Sequence, residues 1–261
     1  MKTEDFSPTL GLPATGVIIT GGASGIGLAT ARALAAVGRP VALWDIDGGK
    51  AAGAAAAITA EYDVPAAAVG VDVTDLAAYA AAIAASREAM GTIGGLVHGA
   101  GIVDTGSLEG ITPGSWDAGI NTHLRPLAML TQMLHGDLRA NATSAVVAIT
   151  SINATLGNAV NPIYSAAKGG MLSLVRSLAD RLAQDGIRVN SVSPGMITTP
   201  MMQPAVDNVP QGHFEKRILL ERLGVPEEIG RVVRFLLSAE ASYITAAEIV
   251  VDGGNISSQR G

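Results

Sequence analysis

The chain of 261 residues carries 17 Lys and Arg against 23 Asp and Glu, a formal net charge of −6, and no cysteine. The acidic balance, with Lys216–Arg217 the one basic cluster, excludes a phosphate-tracking nucleic-acid surface. The lack of cysteine excludes disulfides, thiol catalysis and thiolate-bound zinc. With 48% apolar and only 15% charged residues, the chain is poor in charge for a soluble monomer, which points to a homo-oligomer, a tetramer before a dimer. No apolar run reaches the length of a membrane span, the start MKTEDFSPTL has no apolar signal core, and the expected location is cytoplasmic. His98, His123, His135 and His213 show no ligand spacing with carboxylates, so no metal is expected.

Residues 1–15 read as a loosely held leader with two prolines. Gly16–Thr20 is a β-branched run suited to a buried strand, and it passes through Gly21-x3-Gly25-x-Gly27 into a helical pattern. A strand, a glycine turn and a helix N-terminus make a phosphate cradle: glycines let the backbone approach a pyrophosphate, and the helix end offers free N–H groups. The loop is no P-loop, because Leu28 stands where a lysine would be required. The run from Pro40 ends in Asp45, 25 residues after Thr20, where the second strand of a dinucleotide fold meets the adenosine ribose. A carboxylate there accepts from the ribose hydroxyls and repels a 2′-phosphate by about 4 kcal/mol at ~4 Å and an effective dielectric near 20. That selects NAD over NADP.

After a helix over about 48–61, Ala66–Asp72 reads as a third strand ending in a carboxylate, and Thr74-Asp75 caps a helix through about Met90. Gly95–His98 is a strand that opens into the small-residue loop Gly99-Ala100-Gly101, and a long helical region follows through Asn121 to about Arg139. Ala145–Thr150 is the fifth strand and delivers Ser151 at its end. Thirteen residues on is Tyr164, and four residues further Lys168, in a run with helical apolar spacing. Positions i and i+4 share a helix face, and an ammonium beside a phenol lowers the phenol's pKa, as a proton exchange near neutral pH requires. Between Ser151 and Tyr164, Asn153, Thr155, Asn158 and Asn161 suggest a substrate with a second polar group near its carbonyl. Arg188–Ser193 is the sixth strand, ending in Pro194-Gly195.

Residues 196–223 lose all periodicity and read as a lid, with Met196, Met201, Met202 and Phe214 able to line an apolar pocket or pack a subunit contact. Pro226-Glu-Glu opens a helix to about Ser238, and Ala247–Asp252 is a seventh strand. The sum is a single-domain, Rossmann-type, doubly wound parallel sheet of seven strands with helices on both faces, over residues 16–255, with a tail at 256–261.

On Thr20-Gly-x-x-x-Gly-x-Gly27, Asp72-Val73, Asn121, Ser151, Tyr164-x-x-x-Lys168, Pro194-Gly195 and Val250-Val-Asp-Gly-Gly254, the chain resembles the compact branch of the short-chain dehydrogenase/reductase family. The resemblance implies Tyr164 as general acid/base, Ser151 as the group that holds the substrate oxygen, Lys168 on the nicotinamide ribose, and Asn121 steadying a relay water. It implies cofactor contacts from Gly21, Ser24, Gly25, Ile26 and Gly27 in the loop, and from Asp45 and Ile46 at the second strand end. Asp72 and Val73 would meet the adenine, Gly99, Ala100 and Gly101 the next loop's share, and Pro194, Gly195, Ile197 and Thr198 the carboxamide. The family's usual Asn-Asn-Ala-Gly reads His98-Gly99-Ala100-Gly101 here, and His98 would serve either as a hydrogen-bonding brace or in proton chemistry. The activity implied is NAD-dependent interconversion of a secondary alcohol and a ketone. The alternatives are a 3-oxoacyl thioester reductase on the same scaffold and a non-catalytic NAD-binding regulator.

Overall fold

In the computed structural model, which describes residues 7–259, β1 (Gly16–Thr20) is fully buried, as a strand covered on both faces must be. It leads into α1 (Gly25–Ala35), then β2 (Val41–Asp45), α2 (Gly48–Tyr62) and β3 (Ala66–Gly70). A short 3-10 turn capped by the Asp75 carboxylate precedes α3 (Tyr79–Met90). Then come β4 (Ile93–His98), α4 (Pro113–Met133), α5 (His135–Ala140) and β5 (Ala145–Ile149). The remaining elements are α6 (Asn153–Leu156), α7 (Pro162–Leu182), β6 (Arg188–Pro194), α8 (Gln203–Asp207), α9 (Pro226–Leu237) and β7 (Glu248–Val251). Residues 1–6 of the expected leader and 260–261 of the expected tail lie outside the described residues.

The seven strands form one parallel sheet in the order β3-β2-β1-β4-β5-β6-β7. Along β1, Val17 and Ile19 face a core filled by Leu34 of α1, Ile58 of α2 and Val233 of α9, while Ile18 faces Ile83 of α3, Leu130 of α4 and Val175 of α7. Strand alternation thus divides the apolar residues between two helical layers. The connection reverses direction between β1 and β4, which opens a crevice at the C-terminal ends of those two strands. Among the described residues no helix is long and apolar enough to cross a membrane.

The leader is not loose over its described part. Leu12 O accepts from Ala239 N at 2.7 Å and Thr9 N donates to the Glu240 carboxylate at 2.8 Å, so the segment is stitched to the 3-10 turn that follows α9. The lid is partly ordered by α8, and its two ends meet where Ile197 bridges Gly224.

Candidate active site

The glycine loop occupies the crevice. Gly21 has φ +68, and a Cβ there would stand 3.0 Å from the Ala100 backbone; Gly27 lies so close under the loop that a Cβ would be 2.0 Å from Gly21 O. Only glycine fits either position. Ser24 is the N-cap of α1, and its side chain makes no capping bond. The N–H groups of Gly25, Ile26 and Gly27 begin the helix and have no intrahelical acceptor, whereas Leu28 N already reaches Ser24 O at 3.1 Å. The Asp45 carboxylate accepts from Ala23 N at 3.0 Å and from Asp47 N at 3.1 Å, which holds it at the rim of the loop beside the exposed Ile46. Asp72 accepts from Thr74 N at 2.8 Å, and Val73 is buried next to it.

On the other side of the crevice, Thr20 Oγ1 accepts from Gly99 N at 3.1 Å and Ala100 N at 3.2 Å. Its own proton therefore goes to His98 Nδ1, 2.8 Å away, and His98 Nε2–H donates to His123 O at 2.8 Å. His98 is completely buried, and burial lowers its pKa to about 4, helped by Lys168. It is a neutral brace between β1, β4 and α4.

Ser151 emerges from β5 with its Oγ accepting from Asn153 N at 3.2 Å. Thr150 stays in the sheet, bonded to Val192 O and Ser193 Oγ. Ser151 shares a side-chain hydrogen bond with Tyr164. Lys168, one turn along α7, is buried, donates to Ile149 O at 2.6 Å, and lies 5.4 Å from the centre of the Tyr164 ring. Ser151, Tyr164 and Lys168 thus converge beside the crevice. One expectation is corrected. Lys168 does not pull the phenol down: burial raises the Tyr164 pKa against the opposing Ser151 bond, and burial lowers Lys168 itself to about 7. An ammonium that is only about half charged near neutral pH offers the phenolate correspondingly less.

Asn121 is the residue that does not join them. Positions 121 and 123 of α4 are about 200° apart around the axis, and it is His123 that faces the site. The His123 ring stands edge-on to Tyr164 with centroids 5.3 Å apart, and its Nε2 lies 2.8 Å from Ile102 O. Asn121 is half-buried and makes no side-chain hydrogen bond among the described residues. Gly101 is glycine because a Cβ would be 2.4 Å from the His123 ring. His123 could have been found in the sequence: with Gly119, Pro126, Leu127 and Leu130 it lies on the buried stripe of α4, which Asn121 does not.

β6 delivers Pro194, whose carbonyl accepts from Ile152 N at 3.1 Å, and Gly195 is pressed against Asp252, where a Cβ would be 2.6 Å from that residue's own. Ile197 is buried, and Thr198 N donates to Gly224 O at 2.9 Å. The next residue, Thr199, leans on the glycine loop, within 3.5 Å of where a Gly25 Cβ would be. The crevice therefore runs from Asp45 past the glycine loop to the start of the lid. A cavity of about 120 Å³ under the lid is lined by Met196, Ile197 and Leu220, but not by Met201, Met202 or Phe214.

A family model described as enoyl-(acyl carrier protein) reductase matches residues 21–255. An acetoacetyl-CoA reductase from Synechocystis is 34% identical over 95% of this chain and 98% of its own length. A 2-(S)-hydroxypropyl-CoM dehydrogenase from Xanthobacter autotrophicus is 34% identical over 91% of this chain and 95% of its own. Among solved structures, the glucose/ribitol short-chain dehydrogenase/reductase from Brucella melitensis superposes with a TM-score of 0.88 at 31% identity, covering 95% of this chain and 99% of that one. L-sorbose reductase from Gluconobacter frateurii, complexed with NADPH and L-sorbose, gives 0.89 at 27%, with the same coverage.

Proposed function

The chain belongs to the short-chain dehydrogenase/reductase family, and on that premise we propose that it is an NAD-dependent oxidoreductase interconverting a secondary alcohol and a ketone. The observation that carries the reading is the convergence of Ser151, Tyr164 and Lys168 at one end of a crevice whose other end is the Asp45 carboxylate. A dinucleotide fits the residues present: side chains at Gly21 or Gly27 would collide with the backbone of Ala100 and Gly21, so the tight turn needs glycine, and the first N–H groups of α1 lack intrahelical acceptors, as a pyrophosphate site needs. When bound, the nicotinamide supplies the hydride acceptor or donor.

The chain's own residues do the rest. Ser151 Oγ, oriented by Asn153 N–H, hydrogen-bonds the substrate oxygen. Tyr164 gives that oxygen a proton in reduction and takes it in oxidation. Lys168 holds the nicotinamide ribose and supplies positive charge to the phenolate when protonated. Asp45 accepts from the adenosine ribose hydroxyls and disfavours NADP. Pro194, Gly195, Ile197 and Thr198 contact the carboxamide, and Asp72 and Val73 the adenine. Large exposed apolar side chains, such as Leu220 at 63% and Tyr243 at 102%, support a homo-oligomer, which sedimentation can test.

The test is a panel of secondary alcohols and ketones followed by nicotinamide absorbance. Tyr164→Phe should lose at least about a hundredfold in turnover, and NADH should outbind NADPH, a preference that Asp45→Asn weakens. NADPH binding as tightly as NADH would sink the Asp45 reading. A second reading, reduction of a 3-oxoacyl thioester, is favoured by the likeness to acetoacetyl-CoA reductase. Turnover of acetoacetyl-CoA well above that of simple ketones would select it. A non-catalytic regulator would bind NADH and turn over nothing in the panel.

A further inference from the structure

We propose that Asp104 is a positioning residue for Tyr164: from the loop after β4 it caps the helix that carries the proton-exchanging phenol. The inference rests on the reading of Tyr164 given above. The N-terminus of α7 has no cap of its own. Pro162 at the first position has no N–H, and the side chain of the N-cap residue, Asn161, makes no capping bond. That side chain is occupied instead, accepting from Asn153 Nδ2 at 3.2 Å. The first two N–H groups of the helix belong to Ile163 and Tyr164, and both donate to Asp104, to Oδ2 at 3.2 Å and Oδ1 at 2.8 Å. A carboxylate so placed also complements the positive end of the helix.

The loop that carries Asp104 is itself held. Its start hangs on Thr20 through Gly99 and Ala100, Ile102 is tied to His123, and Ser107 N donates to Val160 O at 3.1 Å. On this side Tyr164 borders a cavity of about 170 Å³ that is also lined by Asp104, His123 and Ile163. Ile163 packs on Gly119 of α4 on one side of the helix start, and on the side of the cavity, where packing leaves space, the two hydrogen bonds fix the orientation of the first turn. Through them the loop that takes part in the cofactor crevice and the helix that bears the phenol move as one body. Misplacement of a reacting group by about 1 Å can cost on the order of a hundredfold in rate.

Asp104→Ala and Asp104→Asn test this. The alanine variant should lose about tenfold or more in kcat, with a smaller change in KM for NADH, because the glycine loop and Asp45 are untouched while Lys168 rides on the same helix. The asparagine variant should recover much of it, since its amide oxygen still accepts from Tyr164 N–H. A second readout needs no turnover: ultraviolet titration of the tyrosinate signal that Tyr164→Phe removes. In Asp104→Ala its midpoint should fall, because losing a nearby negative charge and loosening the burial both favour phenolate; the other groups facing that ring are Ser151, His123 and Lys168. The proposal is overturned if kcat and the Tyr164 midpoint both match the wild type, or if KM for NADH rises while kcat is kept. If the wild type turns over nothing in the panel, the oxidoreductase reading falls, and the tyrosinate midpoint alone decides for or against the hold of Asp104 on Tyr164.

Discussion

Tyr164 and Lys168 sit one turn apart, and burial drives both toward their neutral forms, the phenol upward and the ammonium down to about 7. The direction of the reaction should then depend on pH. A protonated phenol is what ketone reduction needs, so kcat/KM for reduction should hold through pH 6–7 and decline in alkali. Alcohol oxidation, which needs the phenolate, should rise continuously toward alkaline pH; rate profiles in both directions check this, and an oxidation optimum below pH 7 would contradict it. At this scale the sequence showed which residue types stand at chemical spacing, because i and i+4 are neighbours on any helix. It did not single out His123, which the helical phase of α4 puts beside Tyr164.

Among the elements, α4 and α9 show how termini and breaks are put to use. Pro126 inside α4 has no N–H for the Thr122 carbonyl, and the carbonyls of Thr122 and His123 both turn to the His98 imidazole. At the end of α9, Arg188 donates to Leu236 O at 2.7 Å and Ser238 O at 3.0 Å, and Arg39 to Leu237 O at 2.8 Å. Two buried guanidiniums thus complete the helix end that the chain's own backbone leaves open. Arg188→Ala strands those carbonyls and should destabilise the fold by about 3 kcal/mol, read as a lower urea midpoint at unchanged slope. A midpoint within error of wild type would show that solvent replaces the guanidinium. The short α6 was not foreseen, because the four residues Asn-Ala-Thr-Leu are too few to show a period; it forms where Ile152 and Asn153 carbonyls accept the following N–H groups.

For the whole molecule, His98 links the sheet to the helical layer, and it does so only when neutral. Its pKa is about 4 in the folded state against an ordinary 6.5, so between those values the unfolded chain binds a proton that the native protein does not. Stability is then full above about pH 6.5 and is lost as pH falls toward 4. Thermal melts should show Tm dropping through that window, and His98→Asn should flatten the drop even where its Tm is lower at neutral pH. Equal slopes in the two proteins would remove His98 from the acid transition. What the sequence by itself determined is the order of strands and helices and the identity of the residues at the strand ends, since buried runs, glycine turns and helical periods are local properties. Only the tertiary structure decided that β1 and β4 lie side by side, that His123 meets Tyr164, and that Asp104 caps a helix beginning some sixty residues later. Those are contacts between segments far apart in the chain, and no local pattern encodes which side chain a neighbouring layer will present.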